Sequence, residues 1–533
     1  HEADGDIVKI VTSDDIITYD RDVLDRITQI NSKNSGIVKY EYDVNGNKTK
    51  ITNGNGNEVN YEYDGNGYIT KITEADNCVI YTYDQYGNVS SKNVNGSTET
   101  YTYDNRNNLS ETYVVTDEGN SLLESFLYDS EGNITTHTET GAVTGDYKKT
   151  DYTYDVNNRL VSTSVATEEM QGEENQNVTM QYIYDGVGNL IKEQSGNRSL
   201  VYEYDNRNRL IRKYDENTGS GQSYRSGYYY GYDSGGNMTS VYDCSNMNCE
   251  ELITYDMNNQ IKTKITNKIS GTVRRTDSTY QYDGLGNVTE EIRVTTTYDD
   301  VASGEDNVNT ENSVGISENS VIIRKGYQYD LTEENPTVLS EKTEIMETTE
   351  PESQVKSRVT VRYIYGYNNE KVIAGVSAGN ITDVLENEGD RTDSDVTSTP
   401  KDETVWKSYA LETDYLGSTR WAEDTDGNVV AKTSYDVWGN IEENQLLTVA
   451  GNNIDDITSV NLTAGYTGYI YDEVSGWWSA GQKNYAPEIK RFTSADPLSG
   501  NLYEPDRIVK YIYAGNNPVI NVDRDGRSFA SFC

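Results

Sequence analysis

The chain is 533 residues long with a formal net charge of −43, and only 34% of its residues are apolar. Such acidity disfavours DNA, RNA and sulfated polyanions as partners, because phosphate and sulfate contacts need fields of Lys and Arg. With 46 Tyr but only 4 Phe and 6 Met, the chain lacks the mass of a conventional compact core, yet its Tyr, Thr, Val and Ile content is strand composition and excludes an acidic disordered chain.

From Tyr42 to Tyr282 one motif returns every 20 to 30 residues. In Tyr81-Thr82-Tyr83-Asp84-Gln85-Tyr86-Gly87-Asn88-Val89 and Tyr101-Thr102-Tyr103-Asp104-Asn105-Arg106-Asn107-Asn108-Leu109 it reads Tyr-x-Tyr-Asp, two variable residues, Gly or Asn, Asn or Arg, then an aliphatic residue. The alternation puts both rings on one face of an extended strand. Asp accepts hydrogen bonds from the turn backbone, and Gly or Asn supplies the positive φ of a tight reversal. The same Tyr-Asp step stands at Tyr19, Tyr128, Tyr154, Tyr184, Tyr204, Tyr232 and Tyr255. This period predicts an array of hairpins in one continuous sheet over residues 1–290. Asn95-Gly96 is a type I′ turn signal, and 168–174 and 215–221 read as long hairpin tips. Of 7 Pro, 4 lie after residue 480, so the repeats are nearly free of residues that interrupt a ladder.

Over 291–405 the period blurs into Thr-, Glu-, Ser- and Asn-rich sequence with strand-like islands at 320–324 and 359–365. These predict longer hairpins of the same sheet, with 383–402 as an acidic exposed excursion. From 406 to 526 the character changes and all 5 Trp appear. One motif is Asp414-Tyr415-Leu416-Gly417-Ser418-Thr419-Arg420, followed by Tyr435-Asp436-Val437-Trp438-Gly439-Asn440. Another runs from Tyr466-Thr467-Gly468-Tyr469-Ile470-Tyr471-Asp472 through Asn484-Tyr485-Ala486-Pro487-Glu488 to Arg491-Phe492-Thr493-Ser494-Ala495-Asp496-Pro497-Leu498. A third, Tyr511-Ile512-Tyr513-Ala514-Gly515-Asn516-Asn517-Pro518-Val519, leads to Asp523-Arg524-Asp525-Gly526.

These repeats and motifs resemble the Rhs family of tyrosine-aspartate (YD) repeat proteins, and 406–526 resembles its repeat-associated core domain. The resemblance implies an all-β fold: a long antiparallel sheet of hairpins spirals into a hollow shell, closed by an inward-curling C-terminal plug. It further implies that 527–533 are the stump of a variable C-terminal region. Three positions depart from the family pattern: Ala486 replaces Asp before Pro487, Lys490 replaces Gly before Arg491, and Arg524 replaces Pro in the closing motif.

In relatives that cut themselves, aspartates at the positions of Asp496 and Asp523 act as an aspartyl-protease-like pair on the chain's own backbone. Two close carboxylates cannot both ionise, so one can activate water while the other protonates the scissile group. By resemblance the cut falls just after Gly526, and Arg491 could hold a carboxylate or polarise the carbonyl. The alternative is that both aspartates cap turns, and Arg524 in the place of Pro bears on the choice. No activity on an external substrate is expected.

Other chemistries find little support. His1 and His137 are the only histidines, so neither a Ser-His-Asp triad nor a zinc site is expected. The Asp43 and Asp424 turns faintly resemble calcium loops but lack the full pattern with its bidentate Glu. No cofactor or metal is expected. Cys244 and Cys249 could bridge one hairpin, although four scattered thiols make no disulfide framework. No signal peptide and no apolar run of membrane-spanning length is visible, and His1 suggests a processed or trimmed piece. The expected role is an encapsulating shell for the chain's own C-terminal toxin segment, secreted or on the cell surface and working with delivery machinery. The rival is a surface or wall-associated adhesin or binding protein, with carbohydrate as a candidate ligand of its Tyr-rich faces. A protected interior favours the first, and an open rod with aromatic grooves favours the second.

Overall fold

The computed structural model describes residues 7–12, 15–54, 56–116, 119–140, 147–168, 178–216, 226–270, 272–298, 320–332, 336–349, 352–379, 406–450, 457–462, 465–481, 483–496, 509–524, 526 and 530–531. The predicted long tips, the acidic excursion and the expected cut position at 527–528 lie wholly or mostly outside these residues. The architecture is all-β, and among the described residues the only helical pieces are short 3-10 turns such as Tyr466–Gly468 and Ala514–Asn516. One antiparallel sheet of 33 strands runs from Lys9–Val11 to Ile441–Gln445, each strand pairing with the next. Smaller sheets follow, among them a four-stranded one of Ile470–Asp472, Trp477–Ala480, Lys483–Ala486 and Arg491–Phe492.

The repeat chemistry recurs from turn to turn, except at Tyr19-Asp20, where Asp20 stays in the strand and Asp22 accepts the Leu24 (2.9 Å) and Arg26 (3.0 Å) amides instead. Asp84 Oδ1 accepts the amides of Tyr86 (2.8 Å) and Asn88 (3.0 Å), and Oδ2 accepts the Asn88 side-chain amide at 2.9 Å. Gly87 has φ +89° and Asn107, its counterpart in the next repeat, φ +69°. The Asp43 and Asp424 carboxylates are engaged by their own turns in the same way. Asn95 and Gly96 both have positive φ, as a type I′ reversal between Val89–Val94 and Ser97–Tyr103 requires.

The sequence did not disclose two further devices. First, the ladder slips by one residue at the second tyrosine of the repeat, as between Thr82 and Tyr83 and between Thr102 and Tyr103. Such bulges bend the strand and increase its twist, so a regular series of them curls the sheet. Second, that tyrosine's hydroxyl donates to the carbonyl of a residue that opens a strand of the preceding repeat. Tyr83 reaches Ile69 (2.6 Å), Tyr103 Val89 (2.9 Å), Tyr154 Ile134 (2.7 Å) and Tyr204 Leu190 (2.7 Å).

The long strands Ser320–Asp330, Thr337–Thr349 and Glu352–Tyr365 belong to the same sheet. Early and late parts of the sheet meet through their side chains. Tyr40 donates to Asp330 Oδ1 (2.9 Å), Lys48 pairs with Asp330 (2.9 Å), Arg362 with Glu74 (2.6 Å) and Lys92 with Glu412 (3.0 Å). An apolar cluster with Ile17, Val38 and Tyr40 on one side and Val359, Val361 and Leu411 on the other lies along this seam. Among the described residues no strand pairing joins the first strand to the last. Cys78, Cys244 and Cys249 are free thiols.

Candidate functional site

The segment after the large sheet is organised by aromatic packing. Trp438, Trp478, Tyr485, Phe492 and Tyr513 are fully buried, and Tyr485 stacks on Tyr513 with centroids 4.0 Å apart. Tyr485 donates to the Trp438 carbonyl (2.7 Å) and Trp478 Nε1 to that of Gly439 (2.9 Å). The block shares one hydrophobic cluster with Phe126, Tyr152, Tyr182, Tyr202 and Tyr230 of the repeats. The C-terminal segment therefore covers the buried face of the repeat sheet.

Its polar side chains fix the register of that contact. Asn517 Nδ2 donates to Asn133 Oδ1 (3.2 Å) and the Asn158 carbonyl (2.8 Å), and Asn516 Nδ2 to the Gly188 carbonyl (2.9 Å). Arg491 donates to Asn189 Oδ1 (3.3 and 3.2 Å) and the Asn208 carbonyl (3.1 Å), and Tyr511 to the Gly236 carbonyl (2.9 Å). These acceptors lie on five successive Tyr-Asp turns. Below them, the Met238 amide donates to the Thr493 carbonyl at 2.8 Å.

Arg491 itself is placed against the repeat wall. It is 3% exposed, stands over the Tyr204 ring at 4.8 Å, and among the described residues has no carboxylate within ion-pair distance. It is a tie from core to repeat wall.

The two aspartates belong to different parts of the core. Asp496 Oδ2 lies 3.0 Å from Lys483 Nζ, and the Asp496 amide donates to the Lys510 carbonyl at 2.8 Å. Asp523 is 4% exposed, and its carbonyl accepts the Tyr469 hydroxyl and, at 3.4 Å, the Gly526 amide. Gly526 has φ +72°, and a Cβ there would stand 2.6 Å from the Ala480 carbonyl oxygen. The closing motif is thus wedged against Trp477–Ala480 and Lys483–Ala486, and only glycine fits its last position. Lys483 was not singled out by the sequence, since a lysine opening a short strand carries no signal of its own.

A cavity of about 660 Å³ lies where the repeat wall meets the core, lined among others by Tyr101, Glu370, Glu412, Asp414, Tyr469 and Arg524. Arg524 donates to the Asn368 carbonyl at 3.1 Å, a bond that proline at this position could not make. Buried carboxyl groups here are pulled in opposite directions. Burial pushes Asp414 up to about 6. Burial also acts to raise Glu124, but the Arg420 guanidinium and His137 outweigh it and hold Glu124 down at about 2.

The teneurin YD-shell family model matches residues 77–250 and 403–519, together more than half of the chain, and the Rhs repeat model matches 42–77. The chain belongs to the Rhs/YD-shell family. Among curated relatives, the tRNA(Glu)-specific nuclease WapA of Bacillus subtilis subsp. natto is 34% identical over 120 residues, 22% of this YD-shell chain and 5% of WapA. Salivary gland surface protein 1 of Aedes aegypti is 32% identical over 121 residues, 23% of this chain and 3% of that protein. Among solved structures, TcdB2-TccC3-TEV aligns with 97% of this chain and 28% of its own at 15% identity and TM-score 0.37. The Photorhabdus luminescens Tc holotoxin pore aligns with 99% and 28% at 15% identity and TM-score 0.38. The YD-shell chain matches only small fractions of these much longer relatives. No helix among its described residues is long and apolar enough to cross a membrane.

Proposed function

We propose that this chain forms wall and stopper of an Rhs toxin shell, which shields a toxin segment following the core and frees it by one self-directed cut after Gly526. The observation that carries the reading is the row of bonds from Asn516, Asn517, Arg491 and Tyr511 to five successive turns. A segment tied down along so many repeats behaves as a stopper, whereas an adhesin would leave that aromatic face open to a ligand. Family membership and the WapA relatives support a secreted or surface-borne toxin served by delivery machinery. The nuclease activity in their name is theirs.

The 660 Å³ cavity suits a small molecule. A folded domain of 100 residues, with a radius of gyration of about 13 Å, needs a space on the order of ten times larger or more. In this reading the payload is held unfolded or in space that this cavity does not provide. In the cut, Asp496 and Asp523 divide the roles of base and acid, and Gly526 presents the bond.

The test is a tagged, unfolded segment fused after Cys533 and analysed on denaturing gels. Wild type is expected to run as two chains, and Asp496→Asn and Asp523→Asn as one. Equal cleavage in all three would remove the aspartate pair. In the native protein the tag is expected to resist protease until Arg491→Ala and Asn517→Ala are combined, and a tag digested at once in wild type would count against enclosure.

A further inference from the structure

Lys483 lies against one aspartate of the proposed pair and against the closing glycine. Its Nζ lies 3.0 Å from Asp496 Oδ2. Its Cβ and Cε lie 3.2 and 3.3 Å from where a Cβ on Gly526 would stand. The side chain is 4% exposed, and the ammonium lies 3.9 Å from the centre of the Phe492 ring. A buried ammonium is costly unless it is paired, so a lysine enclosed by an aromatic ring, a carboxylate and a glycine is held to a single arrangement. The strand Lys483–Ala486 supplies that rigidity, because Tyr485 two residues on is locked in the aromatic block.

We propose that Lys483 is a positioning residue for self-cleavage: it grips Asp496 Oδ2 and sets that carboxylate against the closing glycine. The inference rests on the reading of Asp496 and Asp523 as the cleaving pair. The step is a hydrolysis. Water forms a C–O bond to the Gly526 carbonyl carbon and gives one proton to Asp496. The C–N bond to residue 527 breaks, and the departing nitrogen takes a proton from Asp523. Small displacements of a reacting group lose rate steeply, on the order of 100-fold for about 1 Å.

The experiment compares the cleavage rate and urea midpoint of Lys483→Met and Lys483→Arg with wild type, using the same tagged chain. Lys483→Met is expected to cleave about 100-fold more slowly. Lys483→Arg is expected to recover most of the rate. A purely structural lysine would slow cleavage only in step with the loss of folding read from the urea midpoint of the same chain. If Lys483→Met does not fold, Lys483→Gln is read on the same axes. A wild-type rate in the uncharged variant, with both Asp→Asn variants uncut, would overturn the role of Lys483 and leave the aspartate pair standing. A wild-type chain that is never cut, or Asp→Asn variants that are cut equally, would overturn both.

Discussion

Lys490 holds a φ of +58°, a left-handed backbone that favours glycine, and its ammonium pairs with Glu193 at 2.8 Å. This accounts physically for one departure from the family pattern. The lysine accepts a strain of roughly 1–2 kcal/mol and in return fastens core to wall through a buried ion pair. Removing one partner of such a pair costs about 3–5 kcal/mol. Lys490→Gly relieves the strain but leaves Glu193 with only the Tyr202 hydroxyl and the Lys213 charge, so a net loss of about 2 kcal/mol is expected from urea midpoints. Lys490→Ala keeps the strain and should lose more, while adding Glu193→Gln to Lys490→Gly should restore most of the loss. Asp414 gives a prediction in pH. Its folded value, pushed up to about 6 by burial, lies above the unfolded one, so its contribution is fullest below about pH 4 and is lost as pH rises through 6. The loss amounts to about 3 kcal/mol at most. Glu124 runs the other way. Held at about 2, it contributes above its unfolded value and is lost as pH falls from about 4.5 toward 2. Asp414→Asn can still accept the Leu416 and Ser418 amides that Asp414 Oδ1 receives. It should therefore flatten the fall in stability between pH 4 and 6 and leave the acid side unchanged, as followed by chemical denaturation at each pH.

At the scale of the element, one repeat is a hairpin, a carboxylate-filled turn and a tyrosine tie. Asp104 Oδ1 receives the amides of Arg106 (2.8 Å) and Asn108 (2.9 Å), and Oδ2 the Asn108 side chain (3.0 Å). Tyr103 contributes a single hydroxyl bond. Tyr103→Phe should cost about 1 kcal/mol and Asp104→Ala about twice that, with the Arg106 and Asn108 amides exchanging faster in the aspartate variant only. Most of this unit was legible in the sequence, because residues a few places apart determine strand alternation, the turn acceptor and the positive φ of Gly87 or Asn107. The tyrosine tie and the bulge were not, although both fall on the same tyrosine, because their partners lie on a neighbouring strand. The core was legible as a set of motifs but not as an arrangement. Asp496 was found and its partner Lys483 was not. Arg491 was found as a residue that could hold a carboxylate or polarise the carbonyl, but its bonds to Asn189 and Asn208 were not legible. A periodic pattern constrains neighbours in the array and carries no information about which turn a residue 300 positions away will meet.

At the scale of the molecule, the sheet is held in its curl by pairs that span most of the chain, such as Tyr40 with Asp330 and Lys92 with Glu412. The surrounding charge of −43 opposes that curl. Screening weakens repulsion among exposed carboxylates more than it weakens buried pairs. The thermal midpoint should therefore rise as salt is raised from about 0.01 to 0.15 M, and a falling midpoint would make surface pairs the dominant glue. The central claim is that the C-terminal core is seated on the buried face of the repeats and unfolds with them. Hydrogen exchange on the intact chain tests this most directly. The amides of Lys483–Ala486 and Arg491–Phe492 should exchange as slowly as those of the wall strands Val178–Tyr184 and Arg198–Tyr204, and should speed up together with them in Arg491→Ala. Core amides that exchange quickly while the wall stays protected would contradict it.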